Sequence, residues 1–384
     1  MVNRDFWLAR VEQAWKERSL VWLRGVRRVG KTSLCRSLPG IEYFDCELPR
    51  VRLQMDDAQA FLSGLKGKRV VLDEIHRLSD PAQLLKIAAD HFPSVKIIAT
   101  GSSILEATAR FRDKLTGRKR DLWLTPINAS DLADFKGTLR HRLVNGGLPP
   151  FFLAHAPPEK DFSEWIDSFW AKDIQALFRL ERRYAFGRFV ELLFAQSGSQ
   201  FDATRFAAPC EISRATVTNY LAVLEATMSV LVVRPFSSRR ATEIVSAPKV
   251  YAFDTGFACH FKGWSDPRPE DLGHLWEHYA LNELLSRGHQ PGYWRDKQGH
   301  EIDFVLAGRG RAPTAVECKW KAAAFEPANL RSFRHLYPQG ENLVVCSDVE
   351  RPFERSVGDL LVRFCGVEHL CGLTRADTQR FKPR

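Results

Sequence analysis

GVRRVGKT, residues 25–32, follows the apolar run SLVWLR (19–24) and leads into SLCRSL, which stops at Pro39-Gly40. Gly25, Gly30, Lys31 and Thr32 match the spacing G-x-x-x-x-G-K-[ST]. The spacing has a mechanical meaning. Glycines let successive backbone N–H groups wrap a triphosphate, the lysine reaches the β and γ oxygens, and the threonine hydroxyl can ligate Mg²⁺. Such a loop needs a buried strand before it and a helix after it, and both are predicted here. Gly25, Gly30, Lys31, Thr32 and the adjacent Ser33 are therefore the expected nucleotide contacts. The bland alternative is a glycine turn carrying a surface lysine.

Two further strands are predicted downstream. RVVLDE (69–74) ends in two acids. In a parallel sheet the carboxyl ends of strands face the ligand, which places Asp73 to hold the Mg²⁺ shell and Glu74 to polarise the attacking water. VKIIATGSS (95–103) ends in small hydroxyl residues, of which Ser102 or Ser103 could sense the γ-phosphate; a plain turn is the alternative.

Composition agrees with a soluble chain of several domains. The 384 residues carry 56 Lys and Arg against 46 Asp and Glu, a net charge of +10, so a polyanion such as DNA is a reasonable partner. The 8 cysteines include no CxxC pair, which argues against a zinc ribbon or a secreted disulfide scaffold and fits reduced thiols in a cytoplasm. No stretch approaches the length of a membrane span, and the N-terminus lacks a signal-peptide core.

The order of phosphate loop, DE strand and TGSS strand, followed by LTGR at 115–118, resembles the prokaryotic AAA-type P-loop ATPases fused to a C-terminal domain of unknown function. The resemblance implies that Arg118 is an arginine finger supplied across a subunit boundary, an effect of roughly 10³ to 10⁵ in rate, and so a homo-oligomer, ring or dimer. A basic surface turn is the competing reading of RFRDKLTGRKR. His76 stands where such ATPases tend to carry glutamine. The GGLP stretch (146–149) and the Asp173-Ile174 pair match structural landmarks of the same group.

NGGLPPFF (145–152) marks a boundary, after which apolar residues at three and four spacing predict packed helices. Residues 202–236 read as helix, turn, helix and strand, followed by a basic loop and the strand YAFD, the order of a winged helix. Its second helix would present Arg214, Thr216, Thr218 and Asn219 to a groove, with Arg239 and Arg240 on the wing. Such modules also serve as plain packing domains.

In the last third, GHLWEHYALNELLSRG (273–288) predicts a helix with an apolar stripe and Glu277 near its start; Glu283 is expected on another face, in solvent. EIDFVLAG then reads as strict alternation, with Ile302, Phe304 and Leu306 on one face and Asp303 and Val305 on the other. In TAVECKW the same period places Glu317 beside Lys319. This layout is similar to the PD-(D/E)xK nuclease core. The resemblance implies that Asp303, Glu317 and Glu277 hold one or two Mg²⁺ or Mn²⁺ ions while Lys319 orients the attacking water. The strand GENLVVCSDV (340–349) extends that core, and nothing is read beyond 350.

The expected architecture is α/β throughout: an AAA-type P-loop parallel-sheet domain over 1–140, a helical linker over 141–200, a winged helix over 201–255, and a PD-(D/E)xK-like α/β domain over 256–384. The expected function is Mg-ATP hydrolysis coupled to DNA binding and metal-dependent cleavage. The alternative is a nucleotide-switched binding or remodelling ATPase whose nuclease-like domain is inactive.

Overall fold

The computed structural model describes residues 2–101, 109–154, 159–174, 182–237, 247–308 and 310–372. Strands β1 (Leu20–Arg24), β2 (Ile41–Asp45), β3 (Arg69–Asp73), β4 (Lys96–Thr100) and β5 (Lys119–Trp123) form one sheet in the order β2-β3-β4-β1-β5. Every neighbouring pair is parallel. In β1 the period of two divides the side chains between two cores: Val21 and Leu23 pack with the helix Asp5–Glu17, Leu20 and Trp22 with the helix Pro81–His91. Burial on both faces is what a parallel sheet between helices requires.

The middle region contains the helices Glu159–Phe169 and Arg183–Ala195, the pair Ala203–Ala207 and Arg214–Ala226, and a small antiparallel sheet. Its strands, β6 (Ser199–Gln200), β7 (Val230–Val233) and β8 (Lys249–Ala252), take the order β6-β8-β7. Arg214, Thr218 and Asn219 are exposed and Thr216 is half-buried. The side chain of Asp173, and Arg239 and Arg240 entirely, lie outside the described residues.

The last sheet runs β13-β14-β12-β11-β10-β9, from β9 (Gly292–Arg295), β10 (Glu301–Leu306), β11 (Thr314–Lys319), β12 (Asn342–Cys346), β13 (Phe353–Val357) and β14 (Leu360–Cys365). The β13–β14 hairpin lies in the stretch from which sequence alone drew nothing. The strict alternation expected along β10 is wrong. Its register against β9 slips between Ile302 and Val305, a β-bulge, so Ile302 and Val305 share one core and Phe304 faces the other. A bulge turns one residue out of the two-residue period and re-aims its neighbour, here Asp303.

The helix expected over 273–288 spans Pro269–Ser286, which puts Glu277 in its middle rather than near its start. It is not a half-exposed amphipathic helix: buried residues occur all round it. Glu283 is therefore not the solvated acid the apolar stripe suggested. It is fully buried, accepts the backbone N–H of Ala129 at Oε1, and meets Arg287 Nη2 at 3.3 Å through Oε2. The Ala129 contact joins the ATPase-like domain to the C-terminal one.

Burial raises the Glu283 carboxyl from 4.5 to about 7, against the pull of Arg287, the Ala129 amide and Arg142; Asp131 adds to the rise. The folded protein thus binds this proton more tightly than the unfolded chain does. The corresponding stability is present below pH 4.5 and is lost as pH rises to about 7, by about 3 kcal/mol for a shift of that size. Glu283→Gln keeps an acceptor for Ala129 without the titration. In urea melts at pH 5 and pH 8 the wild type should lose stability relative to this variant at the higher pH; parallel behaviour would show that burial does not hold the proton.

Candidate functional site

The loop after β1 is shaped by close approach. A Cβ on Gly25 would meet Leu124 O at 2.6 Å and Val29 Cγ1 at 2.9 Å, while Gly30 sits at φ +98°, where L side chains are strained. Arg28 also takes a left-handed conformation, φ 64°. Lys31 opens the helix Lys31–Arg36, and its Nζ donates to Gly25 O at 2.7 Å and Val26 O at 3.1 Å. Ser33, on the first turn of that helix, has an exposed side chain.

Two contacts invisible in the sequence brace this loop from outside. Arg4, nearly buried, donates Nη1 to Val29 O at 3.0 Å and Nη2 to Thr125 O at 3.0 Å and Asp131 Oδ2 at 2.5 Å. Trp165 Nε1 donates to Arg27 O at 3.1 Å. Asp131 is fully buried and also accepts from Trp7 Nε1 and the Asn128 N–H, both at 3.1 Å.

Asp73 lies where its place at the end of β3 puts it. Its Oδ2 accepts from Thr32 Oγ1 at 2.9 Å and from the Tyr43 hydroxyl, and its Oδ1 accepts from the Thr100 hydroxyl. Thr100 Oγ1 also accepts the Glu74 N–H at 3.0 Å. The β4 hydroxyl tied to both acids is thus Thr100, two residues before Ser102, the first residue the sequence singled out. Ser102 and Ser103 fall outside the described residues. Glu74 is left-handed at φ 54°, and its Oε2 lies 3.1 Å from His76 Nδ1. That hydrogen bond, ahead of the opposing cost of burial, lowers the Glu74 pKa and keeps the carboxylate ionised.

Arg118 does not join this group. β5 pairs with β1 in parallel, with Lys119 opposite Leu20 and Trp123 opposite Arg24, so Arg118 enters the sheet at the edge away from the phosphate loop. The five residues of β5 put roughly 15 Å between the two edges. Arg118 Nε pairs with Asp90 Oδ1 at 2.6 Å and its Nη1 donates to Lys114 O at 3.2 Å.

The C-terminal acids come together only partly as expected. Continuing the β10–β11 register beyond Phe304 and Val316 would set Asp303 against Glu317, but the ladder stops there. Asp303 Oδ2 instead accepts the Cys318 N–H at 2.7 Å. Glu317 is 1% exposed, and its charged neighbour among the described residues is Lys319, whose Nζ lies 3.1 Å from Oε2. Burial raises the pKa of both Asp303 and Glu317, opposed at Asp303 by Lys249 and Lys319 and at Glu317 by Lys319. Glu277 charge also pushes Asp303 upward. Glu277 itself is already engaged: Oε1 accepts from Lys249 Nζ at 3.1 Å and the Tyr251 hydroxyl at 2.5 Å. Among the described residues no group of three or more His, Cys, Asp or Glu is arranged to hold a metal ion. Of the three expected acids, Glu277 instead accepts from a lysine and a tyrosine of β8.

Residues 17–133 match the AAA domain family, 136–268 a domain of unknown function (DUF8612), and 272–362 another domain of unknown function (DUF4143). The first domain has an AAA-type P-loop ATPase fold. Over 348 residues the chain is 27% identical to an uncharacterized protein of Mycobacterium bovis and, equally, to one of Mycobacterium tuberculosis, covering 86% of this chain and 77% of theirs. Among solved structures it is similar to a Walker-type ATPase of Pyrococcus abyssi, with 16% identity, 68% of this chain and 96% of that one covered, and a TM-score of 0.43. The Bacillus subtilis DNA clamp loader delta protein gives 13% identity, 72% and 99% coverage, and a TM-score of 0.27. Among the described residues no helix is long and apolar enough to cross a membrane.

Replacing Arg4 with Met would leave the fully buried Asp131 carboxylate without its cation and the Val29 carbonyl without its donor. A loss of about 3–5 kcal/mol is expected from breaking one side of a buried pair. Urea denaturation should show it, and equilibrium dialysis should show weaker nucleotide binding. Unchanged values of both would mean that Arg4 does not brace the loop.

Proposed function

We propose that this chain is a Mg-ATP-hydrolysing AAA-type ATPase that operates a DNA-binding middle region and a metal-dependent, PD-(D/E)xK-like centre acting on DNA. The observation that carries the reading is Thr32 Oγ1 held 2.9 Å from Asp73 Oδ2 at the foot of a glycine loop braced by Arg4. Lys31 exchanges its loop carbonyls for the β and γ oxygens, and the Gly30–Ser33 backbone amides cradle them. Thr32 and Asp73 are the residues that would hold Mg²⁺, which when bound offsets phosphate charge. Glu74, kept ionised by His76, orients the attacking water and takes its proton. Arg118 acts on the nucleotide of a neighbouring copy, in a homo-oligomer.

At the C-terminal centre, Asp303 and Glu317 would hold a divalent cation, Mg²⁺ or Mn²⁺. The support is Glu317, a carboxylate 1% exposed that meets the Lys319 ammonium at 3.1 Å through one oxygen only, an environment rich in the hard oxygen ligands a divalent cation takes. Lys319 stands beside them to steady the attacking water or the charge developing on phosphate. The exposed Arg214, Thr218 and Asn219, with a net charge of +10, support contact with DNA through the middle region. A second reading, a nucleotide-switched DNA- or protein-binding or remodelling ATPase with an inactive nuclease-like domain, is favoured by one observation: Glu277 is bound by Lys249 and Tyr251.

Lys31→Ala should abolish ATP turnover, and Glu74→Gln should retain nucleotide while slowing hydrolysis by roughly 10²–10⁴. Persistent turnover in Lys31→Ala would remove the site assignment. Glu317→Gln should lose Mg²⁺- or Mn²⁺-dependent cutting of labelled single-stranded, duplex or branched DNA and keep its ATPase rate. Wild type that leaves every form intact, with and without ATP, decides for the second reading.

A further inference from the structure

Asp73 is 4% exposed, yet three hydroxyls from three elements already use it. Thr32 Oγ1 of the phosphate-loop helix, at 2.9 Å, and the Tyr43 hydroxyl of β2 both donate to Oδ2, and the Thr100 hydroxyl of β4 donates to Oδ1. An ionised carboxylate offers about two lone-pair directions on each oxygen, so Thr32 and Tyr43 together fill Oδ2. Oδ1 is turned toward Thr100, which is fully buried. Anything further that Asp73 is to hold through Oδ2 has to displace one of the two hydroxyls there.

The three hydroxyls are not equally free to leave. Thr100 also accepts the Glu74 N–H at 3.0 Å, which ties it to the backbone after β3. Thr32 stands on the first turn of the helix that Lys31 opens, inside the loop that a nucleotide would engage. Tyr43 belongs to neither group. β2 is an edge strand of its sheet, and the Tyr43 ring is half-buried, packed only partly against the core beneath the phosphate-loop helix. The exposed Arg36, at the end of that helix, lays its guanidinium 4.7 Å from the centre of the ring. A half-buried ring at a sheet edge, under an exposed guanidinium, can swing aside without opening the core. The phosphate-loop spacing itself calls for no residue on β2.

We propose that Tyr43 is a latch on the nucleotide site: its hydroxyl holds Asp73 Oδ2 in the nucleotide-free protein and gives that oxygen up when Mg-ATP binds, with Arg36 steadying the ring in the latched position. Tyr43 is thereby a positioning residue that sets how much Mg²⁺ adds to ATP affinity. The latch lowers the affinity for Mg-ATP, because a hydrogen bond to a charged group is lost on binding, and it leaves the binding of metal-free ATP alone. The proposal rests on reading Asp73 as part of the nucleotide site, and its test separates the two.

The test is ATP affinity of the full-length protein, measured by equilibrium dialysis in excess Mg²⁺ and again in EDTA. Wild type, Tyr43→Phe, Arg36→Gln and Lys31→Ala are compared, with circular dichroism to establish folding. The deciding quantity is the ratio of the two affinities, which a mere loss of packing or stability leaves unmoved. Tyr43→Phe, which keeps the ring and removes the hydroxyl, should raise the ratio roughly tenfold, through tighter binding in Mg²⁺ alone. Arg36→Gln, a change at an exposed position, should raise it about two- to fivefold. An unchanged ratio in Tyr43→Phe would make the hydroxyl a structural contact that persists with nucleotide bound, and a lower ratio would make it part of the bound site; either overturns the latch while the nucleotide-site reading stands. Where Tyr43→Phe does not fold, the ratio in Arg36→Gln decides in the same way. If Lys31→Ala binds ATP as wild type does, or wild type gains nothing from Mg²⁺, the nucleotide-site reading falls and the latch with it.

Discussion

The buried pair between Arg4 and Asp131 sets the frame for everything around the phosphate loop. An isolated carboxylate with no solvent exposure would be costly, so Asp131 fixes Arg4, and Arg4 then has no freedom in where its remaining donors point. They point at Val29 in the loop and Thr125 at the exit of β5. The same Asp131 closes a capping box with Asn128 at the start of the helix Ala129–Asp134. The next amide, that of Ala129, binds Glu283 of the long C-terminal helix. A continuous run of buried polar contacts thus leads from the nucleotide loop to the helix that carries Glu277. Contiguity is not coupling, but it fixes the two domains in one register at that seam.

At the other end of that helix segment, the C-terminal centre is built against its own electrostatics. Glu277, Glu301, Asp303 and Glu317 would repel one another in a low-dielectric interior. Two solutions operate side by side. The bulge in β10 releases Asp303 from the ladder to accept the Cys318 amide, and lysines from two different sheets lie among the acids. Charge on Glu277 and Glu301 is balanced in part by Lys249 of the neighbouring sheet.

How much of this was legible in the sequence follows from the range of each interaction. The phosphate loop was readable because its mechanism is local: glycine conformations, a lysine and a threonine within eight residues, bounded by a strand and a helix. Asp73 was readable for a similar reason, since the carboxyl end of a parallel strand has only one place to go. Thr100 was missed by two or three positions because the sequence shows that a hydroxyl ends β4 without showing which one meets Asp73. Glu283 was misread because an apolar stripe implies a polar face in solvent, whereas this helix is covered on all sides by two domains. Arg4, Lys249 and the bulge left no signal at all. Their partners are 127, 28 and several residues away, and only the folded chain brings them into contact.

The polarity of the first sheet imposes one more constraint. Because β1, β3, β4 and β5 all run the same way, Lys31, Asp73, Glu74 and Thr100 gather at one edge and Arg118 is carried to the other. No rotamer of an arginine spans a strand length of roughly 15 Å. Within its own copy Arg118 is therefore out of reach of the phosphate loop. Its pair with Asp90 is partly exposed, where water and salt compete for both partners. The buried pair at Arg4 and the partly exposed pair at Arg118 thus differ in strength, one held in a low-dielectric interior and the other weakened by water and salt.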